Sequence, residues 1–423
     1  MRVLLVSGNR EEINMVSLPL GLALVAEAAR LAGHEVRMLD LLGVEDPGPL
    51  LAGSIAEHGP EVIGLSVRNI DDQNMAAPRL LLDQVREVVE VCRRHSRAPI
   101  VAGGAGYSIF PDSALSYLGA DMGLAGDGED AFPALLARLA QGGDPAGVPG
   151  LWLPGHGLTA PRAFPRDLDR VPLAAAARWF GQARRADLWL PVQSRRGCPM
   201  ACSYCSTPVI EGKAIRRRSV SSFTQGLAEL MATGYGQFYF TDNVFNLPPG
   251  HALELCRALA RLDPKPRWRC ILYPGGLKPE LVEAMAGAGC VEASLGFESG
   301  SRPVLRGLGK RFALEEVRSA RALLAGQGIR CMGFLLLGGP GETRASVEES
   351  LAFAESLKLD MLKLTIGIRI YPGTDLARLA VAQGMIPPED SLLLPRFYLE
   401  PGLNGWLKEK LAAWRAGRPH WVM

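Results

Sequence analysis

The chain has 423 residues, 48% of them hydrophobic, with 46 Lys and Arg against 44 Asp and Glu. That length accommodates two or three domains with a sizeable core, which excludes a disordered chain, and the net charge of +2 gives no global footprint for nucleic acid. Its 48 glycines and 31 prolines are dispersed between apolar runs, a pattern of many tight strand-to-helix turns rather than of low complexity.

Residues 1–7 form a short apolar run that meets a turn at Gly8-Asn9, without the longer apolar core and cleavage site of a secretion signal, and predict a first strand. No apolar stretch reaches the roughly 18–20 residues of a membrane span; residues 18–32 carry Glu27 and Arg30. A soluble, cytoplasmic protein is expected. Through about residue 145, strands at 3–7, 35–40, 62–67, 100–102 and 122–125 alternate with helical patterns at 20–31, 79–94 and 131–140. Such alternation predicts an α/β, Rossmann-like doubly wound domain over residues 1–145, with ligands outside the carboxyl ends of its strands. Gly and polar residues gather there: Ser7-Gly8, Ser66-Val67-Arg68-Asn69, Gly103-Gly104 and Gly126-Asp127-Gly128-Glu129. From pattern alone these are either a ligand edge or ordinary turns.

Residues 146–187 show no sustained periodicity and recurring prolines, and read as a linker. A second series follows, with strands near 188–193, 236–241, 268–272, 291–295, 331–337 and 362–370. Six βα repeats are too few for a closed eight-stranded barrel, so residues 188–375 predict an open, partial (β/α)6 barrel, followed by a short C-terminal region, 376–423. Arg396, Phe397, Tyr398 and Trp406 supply either a lid or outer packing.

After the first strand of this series, Cys198, Cys202 and Cys205 stand at C-x3-C-x2-C. Three thiolates from one loop suit a soft metal centre. Structural zinc usually takes a fourth ligand, and none follows at short spacing, whereas a [4Fe–4S] cluster on three cysteines leaves one iron open to a substrate. A structural metal knuckle or incidental thiols are the alternatives. Cys256, Cys270, Cys290 and Cys331 have no ligand spacing and read as small buried hydrophobes.

At these residues the sequence resembles the radical S-adenosylmethionine (radical SAM) superfamily, whose signature is this spacing with an aromatic residue, here Tyr204, before the last cysteine. Thr241-Asp242-Asn243, Gly296-Phe297-Glu298-Ser299-Gly300-Ser301, Gly338-Gly339-Pro340-Gly341-Glu342-Thr343 and Tyr371-Pro372-Gly373-Thr374 agree with it. The resemblance is nearest to the subgroup with an N-terminal cobalamin-binding domain, which Val101-Ala102-Gly103-Gly104 and Gly126-Asp127-Gly128-Glu129 are similar to. It implies that Cys198, Cys202 and Cys205 hold a [4Fe–4S] cluster whose open iron binds S-adenosylmethionine. Tyr204, Asp242, Glu298, Ser299, Gly338 and Gly339 are the implied contacts to that cofactor, with core filling by Tyr204 and a solvated turn at Glu298 as the plainer readings. Ser7, Gly8, Ser66, Arg68, Asn69, Gly103, Gly104, Gly126, Gly128 and Glu129 are the implied cobalamin contacts.

Cobalamin domains of this kind often carry Asp-x-His-x-x-Gly, and none of His34, His58, His95, His156, His251 or His420 stands in that pattern. The expectation is cobalamin without a protein histidine ligand, or a domain that has lost the cofactor. The basic run 213–218 reads either as a surface for an acidic electron donor such as a flavodoxin or ferredoxin, or as a solvated turn. It lacks interleaved aromatics, so no nucleic-acid partner is expected. The resemblance implies a cobalamin-dependent radical SAM enzyme, foremost a methyltransferase that methylates an unactivated carbon of a small-molecule or natural-product substrate through a 5′-deoxyadenosyl radical and methylcobalamin. A non-methylating radical reaction and a non-catalytic iron–sulfur protein with a degenerate first domain are the alternatives.

Overall fold

The structure, a computed structural model, describes residues 1–12, 16, 18–180 and 188–422. It divides into two compact units: Met1–Leu188 with Ser206–Arg218 and Ser391–Pro395, and Trp189–Cys205 with Ser219–Asp390 and Arg396–Met423.

The first unit runs β1 (Arg2–Ser7), α1 (Leu20–Leu31), β2 (Glu35–Asp40), α2 (Gly48–His58), β3 (Val62–Ser66), α3 (Leu82–His95), β4 (Ile100–Gly103), α4 (Ala105–Ile109), α5 (Pro111–Leu118), β5 (Met122–Leu124), α6 (Gly128–Ala140), β6 (Leu151–Leu153) and β7 (Gly157–Leu158). Val3, Leu4, Leu5 and Val6 of β1 and Val62, Ile63 and Leu65 of β3 are buried, as strands covered on both faces require, so the sequence there is a continuous apolar run rather than an alternation. Val3, Leu5, Val101 and Leu124 pack against Leu22 and Ala26 of α1 and Phe132, Leu135 and Leu136 of α6. The sheet order is β2-β1-β3-β4-β5-β6-β7, parallel through β5 and antiparallel from there on. Strand order reverses at β1 and β3. In an open sheet that switch point opens a crevice at the carboxyl ends, where ligands bind.

Two expectations change here. The segment 146–187 is more than a linker: β6 and β7 extend the first sheet, and a 3-10 helix covers Leu173–Trp179, while residues 181–187 lie outside the described residues. Strands of three and two residues are too short to show a period, and Pro149 and Pro154 bracket the first of them. Helix α2 also escapes the sequence pattern. Gly48 and Gly53 dilute it, yet Leu51, Ser54, Ile55 and His58 bury one stripe, and the left-handed Gly59 ends it.

The second unit begins with β8 (Leu190–Val192) and β9 (Arg195–Arg196). The chain then places α7 (Thr207–Glu211) and β10 (Arg216–Arg217) in the first unit and returns with α8 (Val220–Ala232), β11 (Gln237–Phe240), α9 (Pro249–Leu259), β12 (Arg267–Leu272), α10 (Pro279–Gly287), β13 (Cys290–Glu298), α11 (Arg302–Gly307), α12 (Leu314–Gly326), β14 (Arg330–Leu337), α13 (Arg344–Ser356), β15 (Met361–Ile366), β16 (Ile368–Arg369), α14 (Asp375–Ala382), β17 (Phe397–Tyr398), α15 (Trp406–Arg415) and β18 (Trp421–Val422). The main sheet is parallel, in the order β18-β15-β14-β13-β12-β11-β8. The six expected strands thus stand in chain order, and the C-terminal region adds a seventh, β18, beside β15. Two motifs prove to be helix starts: the Thr343 and Thr374 hydroxyls accept the backbone N–H groups of Ser346 and Ala377 and cap α13 and α14. Among the described residues no helix is long and apolar enough to cross a membrane.

Candidate functional site

In the first unit the nominated residues collect at adjacent strand ends. Ser7 closes β1, Ser66 closes β3 and Gly103 closes β4; the Gly8 N–H donates to the Ser66 carbonyl at 3.1 Å and the Val67 N–H to the Gly103 carbonyl at 2.7 Å. Gly104 has φ +102°, and a Cβ there would sit 2.6 Å from the Val67 carbonyl, so only glycine allows this crossing. Gly103 differs: a Cβ would meet nothing nearer than the Leu124 carbonyl at 3.5 Å, so internal packing does not demand its missing side chain. The Ser108 hydroxyl links this edge to the next, donating to the Gly104 carbonyl at 2.8 Å and accepting the Gly126 N–H at 2.9 Å, while Gly128 and Glu129 open α6. Arg68 is exposed and Asn69 half-buried just beyond β3. Asp40, at the end of β2, was not foreseen: burial pushes its carboxyl up, and the Ser7 hydroxyl, the Leu42 N–H and Arg68 draw it back.

The cysteine loop of the second unit is held from several sides. The Asp242 carboxylate, at the end of β11, accepts the N–H groups of Ser194 at 2.8 Å and Arg195 at 3.1 Å, and its burial raises it to about 6 against the pull of Arg195 and Ser194. Arg195 is buried and donates to the carbonyls of Val244 and Gly197, each at 2.8 Å, directly before Cys198. The Ser203 N–H donates to the Leu308 carbonyl at 3.1 Å, and the Ser203 carbonyl accepts from Leu376 N–H at 2.9 Å. Cys198 is buried, Cys202 and Cys205 half-buried, and none of the three is in a disulfide. Burial raises the Cys202 thiol, Lys310 lowers it, and Cys205, Glu298 and Cys198 each raise it, which puts the three sulfurs in one electrostatic neighbourhood. Among the described residues no group of three or more His, Cys, Asp or Glu is placed to hold a metal ion. In donor chemistry, three cysteine thiols on one loop are the kind of ligand that would hold an iron–sulfur cluster.

Glu298 ends β13 with φ +61°, after a register irregularity in the strand, and its Oε1 lies 3.2 Å from the Lys310 ammonium. Lys310 lies 5.5 Å from the Tyr204 ring centroid. The loop after β14 is occupied by its own carboxylate: Glu342 accepts the N–H groups of Gly338 and of Gly339, the latter at 3.2 Å. Both amides are thus engaged by Glu342, and the missing side chain of Gly338 makes room for Leu399, whose Cδ1 would lie 2.4 Å from a Cβ there. Glu342 is buried, which raises it to about 7 despite those two amides, with Glu400 raising it further. Glu400 grips the same loop, donating its N–H to the Gly338 carbonyl at 3.0 Å and accepting the Gly341 N–H at 2.7 Å.

Two nominated contacts are corrected. Ser299 is fully enclosed, its hydroxyl 2.9 Å from that of Ser350 and accepting the Ser301 N–H at 3.1 Å, and Asp242 is committed to the loop before Cys198. Both brace the site rather than face a ligand. The basic run is corrected in part: Arg216 and Arg218 are buried within the first unit, where Arg216 pairs with Asp127 and Arg218 donates to the Val171 carbonyl at 2.8 Å, while Lys213 and Arg217 are exposed. Of Asp40, Arg195, Lys310 and Glu400, none carries a sequence signal, because each finds its partner only through the fold. Cys256, Cys270, Cys290 and Cys331 are buried as expected.

The Radical SAM superfamily pattern matches residues 192–354 and the B12 binding domain pattern residues 7–136. The chain is 25% identical to a tryptophan 2-C-methyltransferase of Streptomyces laurentii, over 88% of this chain and 73% of that protein. It is 26% identical to an uncharacterized methyltransferase of Pyrococcus horikoshii, over 91% and 84%. In fold it superposes on a radical S-adenosylmethionine methyltransferase of Kitasatospora setae, solved with cobalamin and a [4Fe–4S] cluster, with TM-score 0.87, 22% identity, and coverage of 100% of this chain and 90% of that one.

Proposed function

The chain joins a B12-binding domain to a radical SAM domain, and we propose that it is a cobalamin-dependent radical SAM methyltransferase acting on an unactivated carbon of a small molecule. The observation that carries this reading is the braced three-thiol loop at the carboxyl end of β8, in a chain whose first sheet has its switch point between β1 and β3. When bound, the cluster and S-adenosylmethionine supply one-electron cleavage of a carbon–sulfur bond, and cobalamin supplies a transferable methyl group. Cys198, Cys202 and Cys205 hold the cluster. Asp242 and Arg195 fix where their loop starts, and Glu342 and Glu400 fix the Gly338–Gly341 loop against which the nucleoside of the methyl donor packs. Ser7, Ser66, Arg68, Asn69, Gly103 and Gly104 form the cobalamin edge.

An external one-electron donor of the flavodoxin or ferredoxin type is part of this reading, without Arg216 and Arg218 as its docking charges. So is a reducing, cytoplasmic setting, which suits eight cysteines that form no disulfide. The test is anaerobic reconstitution with iron, sulfide and cobalamin, followed by turnover on candidate small molecules with methyl-labelled S-adenosylmethionine. Label in the substrate carbon skeleton is the expected result. Deoxyadenosine with an unlabelled, rearranged product would instead identify a non-methylating radical enzyme.

A further inference from the structure

Lys310 is an expensive residue to place where it stands. Its side chain is 8% exposed, and it follows α11 in a turn that the Lys310 N–H closes onto the Leu305 carbonyl at 2.9 Å. Gly309 has φ +72°, and a Cβ there would lie 2.4 Å from the Ala201 carbonyl, so this turn lies directly on the cysteine loop; the Ser203 N–H bond to the Leu308 carbonyl fixes the same contact. The ammonium is thereby delivered between Glu298 Oε1, at 3.2 Å, and the ring of Tyr204, the residue directly before Cys205 in the cysteine loop. The Glu298 carboxylate pairs with the ammonium there and favours its charged form. Packing alone would be served as well by an apolar side chain of similar volume, which carries no desolvation cost.

We propose that Lys310 is a positioning residue that sets the reduction potential of the cluster on Cys198, Cys202 and Cys205, by holding a buried positive charge against Tyr204 of the cysteine loop. The proposal rests on the cluster assignment made above. Reduction adds one electron, and hence one negative charge, to the cluster, with an external one-electron reductant as the source and no bond made or broken. A fixed cation at short range stabilises the reduced form more than the oxidised one, and net local charge is one of the levers on such potentials. Glu298 opposes it.

The test is a mediated redox titration of the reconstituted wild type, K310M, K310R and E298Q, with dithionite as reductant and the reduced cluster read by electron paramagnetic resonance, alongside iron content and S-adenosylmethionine affinity. At a fixed applied potential, K310M is expected to lower the ratio of reduced to oxidised cluster about tenfold, a shift of about 59 mV for one electron. K310R stays near wild type, and E298Q moves the opposite way. An unchanged potential in K310M with full iron overturns the proposal, including the case in which only S-adenosylmethionine affinity falls and the lysine proves to be a ligand contact. If K310M fails to hold iron, E298Q decides: a potential that does not rise overturns it. A wild type that binds no iron removes the cluster assignment itself, which distinguishes that failure from this one.

Discussion

Arg216 and Asp127 form an ion pair inside the first unit, with side chains 7% and 6% exposed. The same guanidinium donates to the carbonyls of Pro165 at 3.1 Å and Glu211 at 2.6 Å and lies 5.0 Å from the Phe164 ring centroid. Asp127 stands between Gly126, in the loop after β5, and Gly128 and Glu129, which open α6, so the pair ties a nominated cobalamin loop to the segment that follows the last cluster cysteine in sequence. Removing one partner leaves the other charged and enclosed. Arg216→Met is therefore expected to cost about 3–5 kcal/mol, and the double variant with Asp127→Asn to recover part of it. Urea denaturation checks both values; a loss below about 1 kcal/mol, the range of exposed pairs, would contradict this account.

Replacing Cys198, Cys202 and Cys205 together by Ala is expected to abolish iron binding and reductive cleavage of S-adenosylmethionine while leaving the fold intact, since Asp242, Arg195 and Leu308 still hold the loop. Iron and sulfide analysis of the reconstituted variant checks this. Full iron in the triple variant would place the metal elsewhere.

The elements most legible in the sequence are those whose physics is local. Strands β1, β3 and β14 are apolar runs stopped by glycine or polar residues, α1 is a long apolar-faced helix, and the cysteine spacing lies within eight positions. What the sequence hides is long-range pairing. Arg216 finds Asp127 across 89 residues, and Glu400 finds Gly341 across 59, so neither an exposed basic turn nor a free lid can be told from an internal strut by composition. Ser299 and Asp242 read as ligand contacts because they end strands, yet an end residue also has to secure the loop that follows, and here those hydrogen bonds are spent inside the protein.

Asp242 makes stability pH-dependent in a direction opposite to that of most carboxylates. Burial raises it from 3.8 to about 6 in the folded chain. Between those values the folded protein holds a proton that the unfolded chain has released, so the contribution is fully present below about pH 4 and is lost as pH rises to about 6. At about 1.4 kcal/mol per unit the change is on the order of 3 kcal/mol. Asp242→Asn keeps an oxygen to accept the Ser194 and Arg195 amides and cannot titrate. The difference between wild-type and variant unfolding free energies is expected to grow steadily from pH 4 to 6; a constant difference would show that Asp242 ionises normally.

Glu400 reaches the Gly338–Gly341 loop from the C-terminal region, its side chain also accepting the Tyr398 hydroxyl at 3.0 Å. Truncation in Glu400→Ala removes the acceptor for the Gly341 N–H and frees one side of the loop. The expected result is S-adenosylmethionine binding weakened about tenfold, about 1.4 kcal/mol, with iron content unchanged. Calorimetric titration checks it. Equal affinity would mean that Glu342 alone suffices to shape the loop.

The first unit also constrains how cobalt is held. Its histidines lie away from the ligand edge: His34 precedes β2 and meets the Met1 amine at 3.4 Å, His58 ends α2 and meets the Val3 carbonyl at 3.2 Å, His95 ends α3, and His156 lies in the turn between β6 and β7. Helix ends that feed the starts of parallel strands stand opposite the carboxyl ends, where Ser7, Ser66 and Gly103 gather. Among the described residues of this unit no histidine is thus placed at that edge, whereas Arg68, just beyond β3, stands at the edge itself. Cobalamin bound here is expected to give up its own base without gaining an imidazole. In the Co(II) state, electron paramagnetic resonance is expected to show cobalt lines without the threefold splitting that a coordinated nitrogen imposes, and Arg68→Ala to alter that spectrum while leaving iron content unchanged. Triplet splitting in the wild type would show that a nitrogen reaches the cobalt after all.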